Sequence, residues 1–159
     1  MTNSSSKKRT DSASRVIMSS PRTIYKAFVD PKALVSWLPP KGMIGHIYEF
    51  DARNGGAYRM SLTYVGTDHS TIGKTSEHAD VVQGRFLELV PDERVVQLVE
   101  FESEDPAFAG TMTMTWSLAA VPEGTEVTIV CENVPEGIRQ DDHAAGLSSS
   151  LENLAAFTE

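Results

Sequence analysis

A Gly-Gly turn that runs straight into a strand, Phe50-Asp-Ala-Arg-Asn-Gly-Gly-Ala-Tyr-Arg-Met60, narrows the folds open to this chain more than any other stretch. Beyond Gly55 and Gly56 the apolar residues Tyr58, Met60, Leu62 and Tyr64 alternate with Arg59, Ser61 and Thr63. A period of two means one face against a core and one against water, as in an antiparallel sheet covered on a single side. The same alternation returns in Met112-Thr-Met-Thr-Trp-Ser-Leu118, with Met112, Met114, Trp116 and Leu118 on one face.

Strand-like runs at about 44–53, 57–65, 80–90, 94–102, 110–121 and 125–133 are separated by turn signals such as Pro91-Asp92 and Pro122-Glu-Gly124, which reads as a meander. The polar stretch 66–79 between the second and third runs is expected to be a long mobile loop. Before the meander, Ser14-Arg-Val-Ile-Met18 is a short candidate strand. Two cap-plus-proline signals follow, Ser20-Pro21 and Asp30-Pro31, each starting a short helix. The first helix carries Ile24, Ala27 and Phe28 at helical spacing and the second Leu34, Trp37 and Leu38, before Pro39-Pro40 stops it. From about Arg139 the period lengthens, and Ala144, Leu147, Leu151, Leu154 and Ala155 form the stripe of a closing helix. A single helix laid across a wide, twisted sheet cannot fill the space beneath it, so a cavity is expected. The reading is an α+β domain over 14–159 behind a disordered, Ser/Thr-rich tail over 1–13.

Composition excludes several classes of function. A net charge of -8 argues against nucleic acid, and Lys7-Lys8-Arg9 is the one basic cluster. No apolar run has the length of a membrane span, so no membrane insertion is expected. The single Cys131 has no partner for an internal disulfide, which suits the cytoplasm and a buried thiol. His46, His69, His78 and His143 are too scattered for a local metal motif, so no metal and no cofactor is called for. Asp51 and Arg53, two apart, suit an ion pair that supports the Gly-Gly turn. The residue placed to move a proton is His143, near the start of the last helix beside Asp141 and Asp142.

The order of elements, with Ser20-Pro21, Tyr25, Ala27, Phe28, Asp30-Pro31, Trp37, Asp51-Ala-Arg-Asn-Gly-Gly56, Gly84-Arg-Phe-Leu-Glu-Leu-Val-Pro91, Arg94-Val-Val96, Gly124-Thr125-Glu126-Val127 and His143-Ala-Ala-Gly146, resembles the activator-of-heat-shock-ATPase-like (Aha-type) branch of the START-like, or SRPBCC, superfamily. The resemblance implies a helix-grip, Bet v 1-like fold: a curved antiparallel sheet with two short helices and a long C-terminal helix enclosing a cavity. In relatives that cavity holds lipids, polyketides or other apolar molecules. The family pattern commonly has Gly-Trp where this chain has Gly146-Leu147.

The cavity lining expected from these patterns is Trp37, Tyr58, Met60, Leu62, Met112, Met114, Trp116, Leu147 and Leu151. Flexible thioethers and two indoles suit an adaptable apolar site. The expected function is to bind a small apolar or amphipathic, lipid- or polyketide-like molecule, as a monomer or homodimer. One alternative is a cyclase- or hydrolase-type enzyme working in the same cavity, and a second is an activator of a chaperone ATPase.

Overall fold

The computed structural model describes residues 9–40, 42–64 and 79–159. The polar stretch expected to be a mobile loop therefore lies almost wholly outside the described residues. The elements run β1 (Thr10–Ile17), α1 (Pro21–Val29), α2 (Pro31–Trp37), β2 (Met43–Phe50), β3 (Ala57–Tyr64), β4 (Ala79–Val90), β5 (Arg94–Phe101), a 3-10 turn (Pro106–Phe108), β6 (Thr111–Val121), β7 (Gly124–Glu132) and α3 (Gln140–Thr158). Seven strands form one antiparallel sheet in the order β1-β7-β6-β5-β4-β3-β2, so β2 to β7 are the expected meander and β1 closes its far edge.

The caps read from the sequence form as hydrogen bonds. Ser20 Oγ accepts from the Thr23 amide at 3.2 Å and Asp30 Oδ1 from the Lys32 amide at 3.0 Å. Each satisfies a donor that has no partner within its helix. At the Gly-Gly turn, Gly55 takes φ +81°, and a Cβ on Gly56 would stand 2.0 Å from the Asp51 carbonyl oxygen. The Arg53 and Asp51 side chains pair at 2.8 Å on the outside of this turn, in solvent. Register shifts at Ile47/Glu49 and Phe86/Glu88 mark bulges that bend the sheet. Its concave face is covered by α3, which lies along β1, and by α1 and α2.

Two boundaries differ from expectation. The disordered tail was expected to reach residue 13, but β1 begins at Thr10, and Thr10 to Ala13 pair with Glu132 to Ile129 of β7. Thr10-Asp-Ser-Ala has no hydrophobic alternation of its own, and the strand exists because β7 offers it an edge to pair with. Along α3 the buried residues are Leu147, Ser150, Leu151, Leu154 and Ala155, whereas Ala144 is exposed. There the helix has reached the rim of the sheet, and Ser150 takes an inward place by donating its hydroxyl to the Leu38 carbonyl at 2.7 Å.

A chain beginning at Ser14 should consequently lose about 2–3 kcal/mol, or ~5–10 °C in melting temperature, because half of the β1 pairing disappears with the side chains of Arg9 and Asp11. Differential scanning calorimetry of the truncated and full chains measures it. An unchanged midpoint would show that residues 9–13 contribute nothing to the fold.

Candidate functional site

The space between the concave face and the helices is a cavity of about 740 Å³. Residues two apart on a strand face the same side, and the cross-strand rows carry this face over the sheet. Tyr58, Met60 and Leu62 of β3 oppose Gly84, Val82 and Asp80 of β4, while Val95, Gln97 and Val99 of β5 oppose Trp116, Met114 and Met112 of β6. Of the lining expected from the sequence, Tyr58, Met60, Leu62, Met112, Met114, Trp116 and Leu147 border the cavity.

Trp37 and Leu151 do not. Trp37 is fully buried, with its ring edge-to-face against Phe28 at 4.9 Å and Trp116 at 5.7 Å, and its indole N–H donates to the Ala27 carbonyl at 2.9 Å. It therefore packs behind the cavity wall, holding Trp116 in place. Leu151 is one turn beyond Leu147, where α3 lies in the packed core.

Pattern reading missed the polar groups on the inward face. Gln97, Glu49, Asp80 and Tyr64 border the cavity alongside Arg139, at the N-cap of α3, and Asp142 and His143 of its first turn. Gln97 shares its face with Val95 and Val99, and a period-two search discards it because it breaks the apolar pattern. Its carbonyl oxygen accepts the Trp116 indole N–H at 3.2 Å. Tyr58 lies across Gly84, and its hydroxyl donates to the Leu98 carbonyl at 2.9 Å, so burial pushes its phenol well above the usual range. Burial pushes the Tyr64 phenol up to about 12, with the nearby charges of Asp80 and Asp142 adding to the effect. Tyr64, Asp80, Arg139, Asp142 and His143 lie toward the end of the sheet where β3 finishes and β4 begins. Trp116 and Tyr58 lie toward the other end, where Gln97 and Glu49 also border the cavity. Most of the ionisable groups that border the cavity thus lie at one end.

His143 was expected beside Asp141 and Asp142, but its partner is Asp11. The ring Nδ1 is 2.6 Å from Asp11 Oδ2. Arg9 grips the same carboxylate, with Nη2 at 2.8 Å and Nε at 3.2 Å, and its remaining Nη1 donates to the Ile138 carbonyl. Burial by itself would lift the Asp11 carboxyl. Hydrogen bonds and charge from Arg9 and His143 outweigh it and hold Asp11 below the ordinary carboxylate range. Asp141 turns outward to Arg139 at 3.3 Å. No spacing rule links Asp11 to His143, which are brought together by the β1–β7 pairing and the placement of α3.

The other singled-out residues stay outside the site. His46 meets Tyr48 edge-to-face at 4.6 Å on the outer face of β2, and His69 and His78 lie outside the described residues. Among the described residues no group of three or more His, Cys, Asp or Glu is placed to hold a metal ion. Cys131 is buried, and its thiol is pushed up to about 12 by burial, with the Asp11 charge adding to it, which disfavours the thiolate that a nucleophile needs. No described helix is long and apolar enough to cross a membrane.

Residues 19–159 match the family model described as "Activator of Hsp90 ATPase homolog 1-like protein". The crystal structure of a Chromobacterium violaceum protein is similar over 94% of this chain and 97% of that one, at 37% identity and a TM-score of 0.81. A Mycobacterium smegmatis protein, at 16% identity, covers 94% of this chain and 90% of its own with a TM-score of 0.71. The AHSA1-like protein from Aeromonas hydrophila, also at 16% identity, covers 94% and 91% with a TM-score of 0.66. These last two likenesses concern the fold alone. No curated protein matches the chain.

Proposed function

The chain belongs to the Activator of Hsp90 ATPase homolog 1-like family, and from that premise we propose that it binds a small amphipathic molecule, of lipid- or polyketide-like size and character, in its internal cavity. The observation that carries this reading is the graded lining of the cavity of about 740 Å³: methionines, leucines and aromatics at one end and along the walls, and most of the ionisable groups gathered at the other. A volume of that size falls within the ~300–1,000 Å³ of small-molecule sites. Tyr58, Met60, Leu62, Met112, Met114, Trp116 and Leu147 are the proposed contacts for the apolar body. Trp37 and Leu151 support them from behind.

Leu147 gives the test. It is 6% exposed and borders the cavity next to Gly146, at a place where the family commonly has tryptophan. An indole there would project into space that a ligand would use. Leu147→Trp is expected to fold and to keep its stability within about 1 kcal/mol, since the added volume enters open space. It should weaken bulky fluorescent apolar probes about tenfold or more while small ones still bind. Titrating both proteins with a size-graded probe series measures this. Equal affinities across the series, or no binding by the unaltered protein, would count against the cavity as a binding site.

A further inference from the structure

We infer that His143 is the residue that reads the polar head of the ligand, acting as an oriented hydrogen-bond acceptor for an O–H group, such as a phenol or alcohol, carried on an apolar body. This rests on the cavity-binding reading and adds a chemical preference to it.

The orientation follows from what each group is able to donate. An ionised carboxylate only accepts hydrogen bonds. Asp11 is held in that form by Arg9, so the 2.6 Å contact requires the hydrogen to be on His143 Nδ1. In a neutral imidazole one nitrogen carries the hydrogen and the other a lone pair. Nε2 is then the acceptor. No described residue hydrogen-bonds Nε2, the ring borders the cavity, and its side chain is only 13% exposed. A half-enclosed acceptor with a fixed lone pair gains more from a ligand donor than the same group in water, because fewer waters compete for it.

The surroundings favour a neutral donor over an anion. Asp11 is on the same inward row as Cys131, Met114 and Gln97. Asp80 and Asp142 border the same end of the cavity, where Arg139 Nε is 3.8 Å from Asp142 Oδ2. A carboxylate or phosphate head placed beside Asp142 would meet like charge. An uncharged hydroxyl would not. Arg9 adds nothing for an anion, since it is spent on Asp11 and the Ile138 carbonyl.

Three naphthalenes of nearly equal shape test the idea: naphthalene, 2-naphthol and 2-methoxynaphthalene, each measured by displacement of bound Nile red. The unaltered protein should bind 2-naphthol about fivefold or more tighter than 2-methoxynaphthalene, which keeps the oxygen but lacks the donor. In His143→Phe that ratio should fall to about one. Asp11 acts as a positioning residue, and Asp11→Asn should lower the ratio because an amide is able to partner either ring tautomer. Nitrogen-15 NMR of the unaltered protein supplies a readout independent of any variant's folding. In its neutral form His143 should carry its hydrogen on Nδ1, and adding 2-naphthol should shift the Nε2 resonance. A ratio of one in the unaltered protein, or an Nε2–H tautomer, overturns the inference while leaving cavity binding intact. If none of the three compounds displaces the dye, cavity binding itself fails, and this inference with it.

Discussion

Trp116→Ala should lower the unfolding free energy by about 3–5 kcal/mol, the range for removing a large aromatic from a packed interior. Trp116 is 1% exposed, and it meets Phe28 edge-to-face at 4.9 Å and Trp37 at 5.7 Å. Truncation would leave both rings facing a void and strand the Gln97 carbonyl that its indole now holds. The void would be continuous with the cavity, so collapse of the neighbours cannot easily refill it. Urea denaturation followed by circular dichroism measures the loss. A change under about 1 kcal/mol would mean that Trp116 faces open space and is not part of the packed wall.

Gly84→Ala should have a comparable effect from a single added methyl group. A Cβ at Gly84 would stand 1.9 Å from the Leu98 carbonyl oxygen and 2.7 Å from the Tyr58 hydroxyl. The first neighbour is strand backbone, and the second is tied to that same oxygen at 2.9 Å. Neither yields without breaking the β4–β5 ladder or ejecting Tyr58 from its place. The expected loss is about 3 kcal/mol, at the upper end for overpacking. Because Tyr58 borders the cavity, its displacement should also weaken apolar probes of every size, unlike Leu147→Trp, which discriminates by size. Paired denaturation and probe titration would separate the two behaviours. A stable variant with intact binding would refute the requirement for glycine beneath the Tyr58 ring.

Most of the fold was legible because it rests on local signals. Tyr58, Met60 and Leu62, like Met112, Met114 and Trp116, were found by a period of two, and that period survives in the structure because each strand has one face toward the helices. Ser20 and Asp30 were legible as caps because their partners, Thr23 and Lys32, are within three residues. The same search misjudged what depends on distant neighbours. Trp37 and Leu151 carry the apolar character expected of a lining, yet whether such a residue faces empty space or another side chain depends on what packs against it. For Trp37 the deciding neighbours are Phe28 and Trp116.

By itself, the sequence determined the order of the elements, their caps and turns, and which side of the central strands is apolar, since each of these is settled within a few residues by backbone geometry and hydrophobic spacing. Only the tertiary structure decided that the first strand begins at Thr10 and what the polar end of the cavity contains. Thr10 to Ala13 become a strand only against β7, and Asp11 becomes the partner of His143 only when β1 and the start of α3 meet at the rim of the sheet. A buried carboxylate is stabilised by partners far away in the chain, Arg9 excepted, and the spacing of residues along a sequence carries no record of such partners.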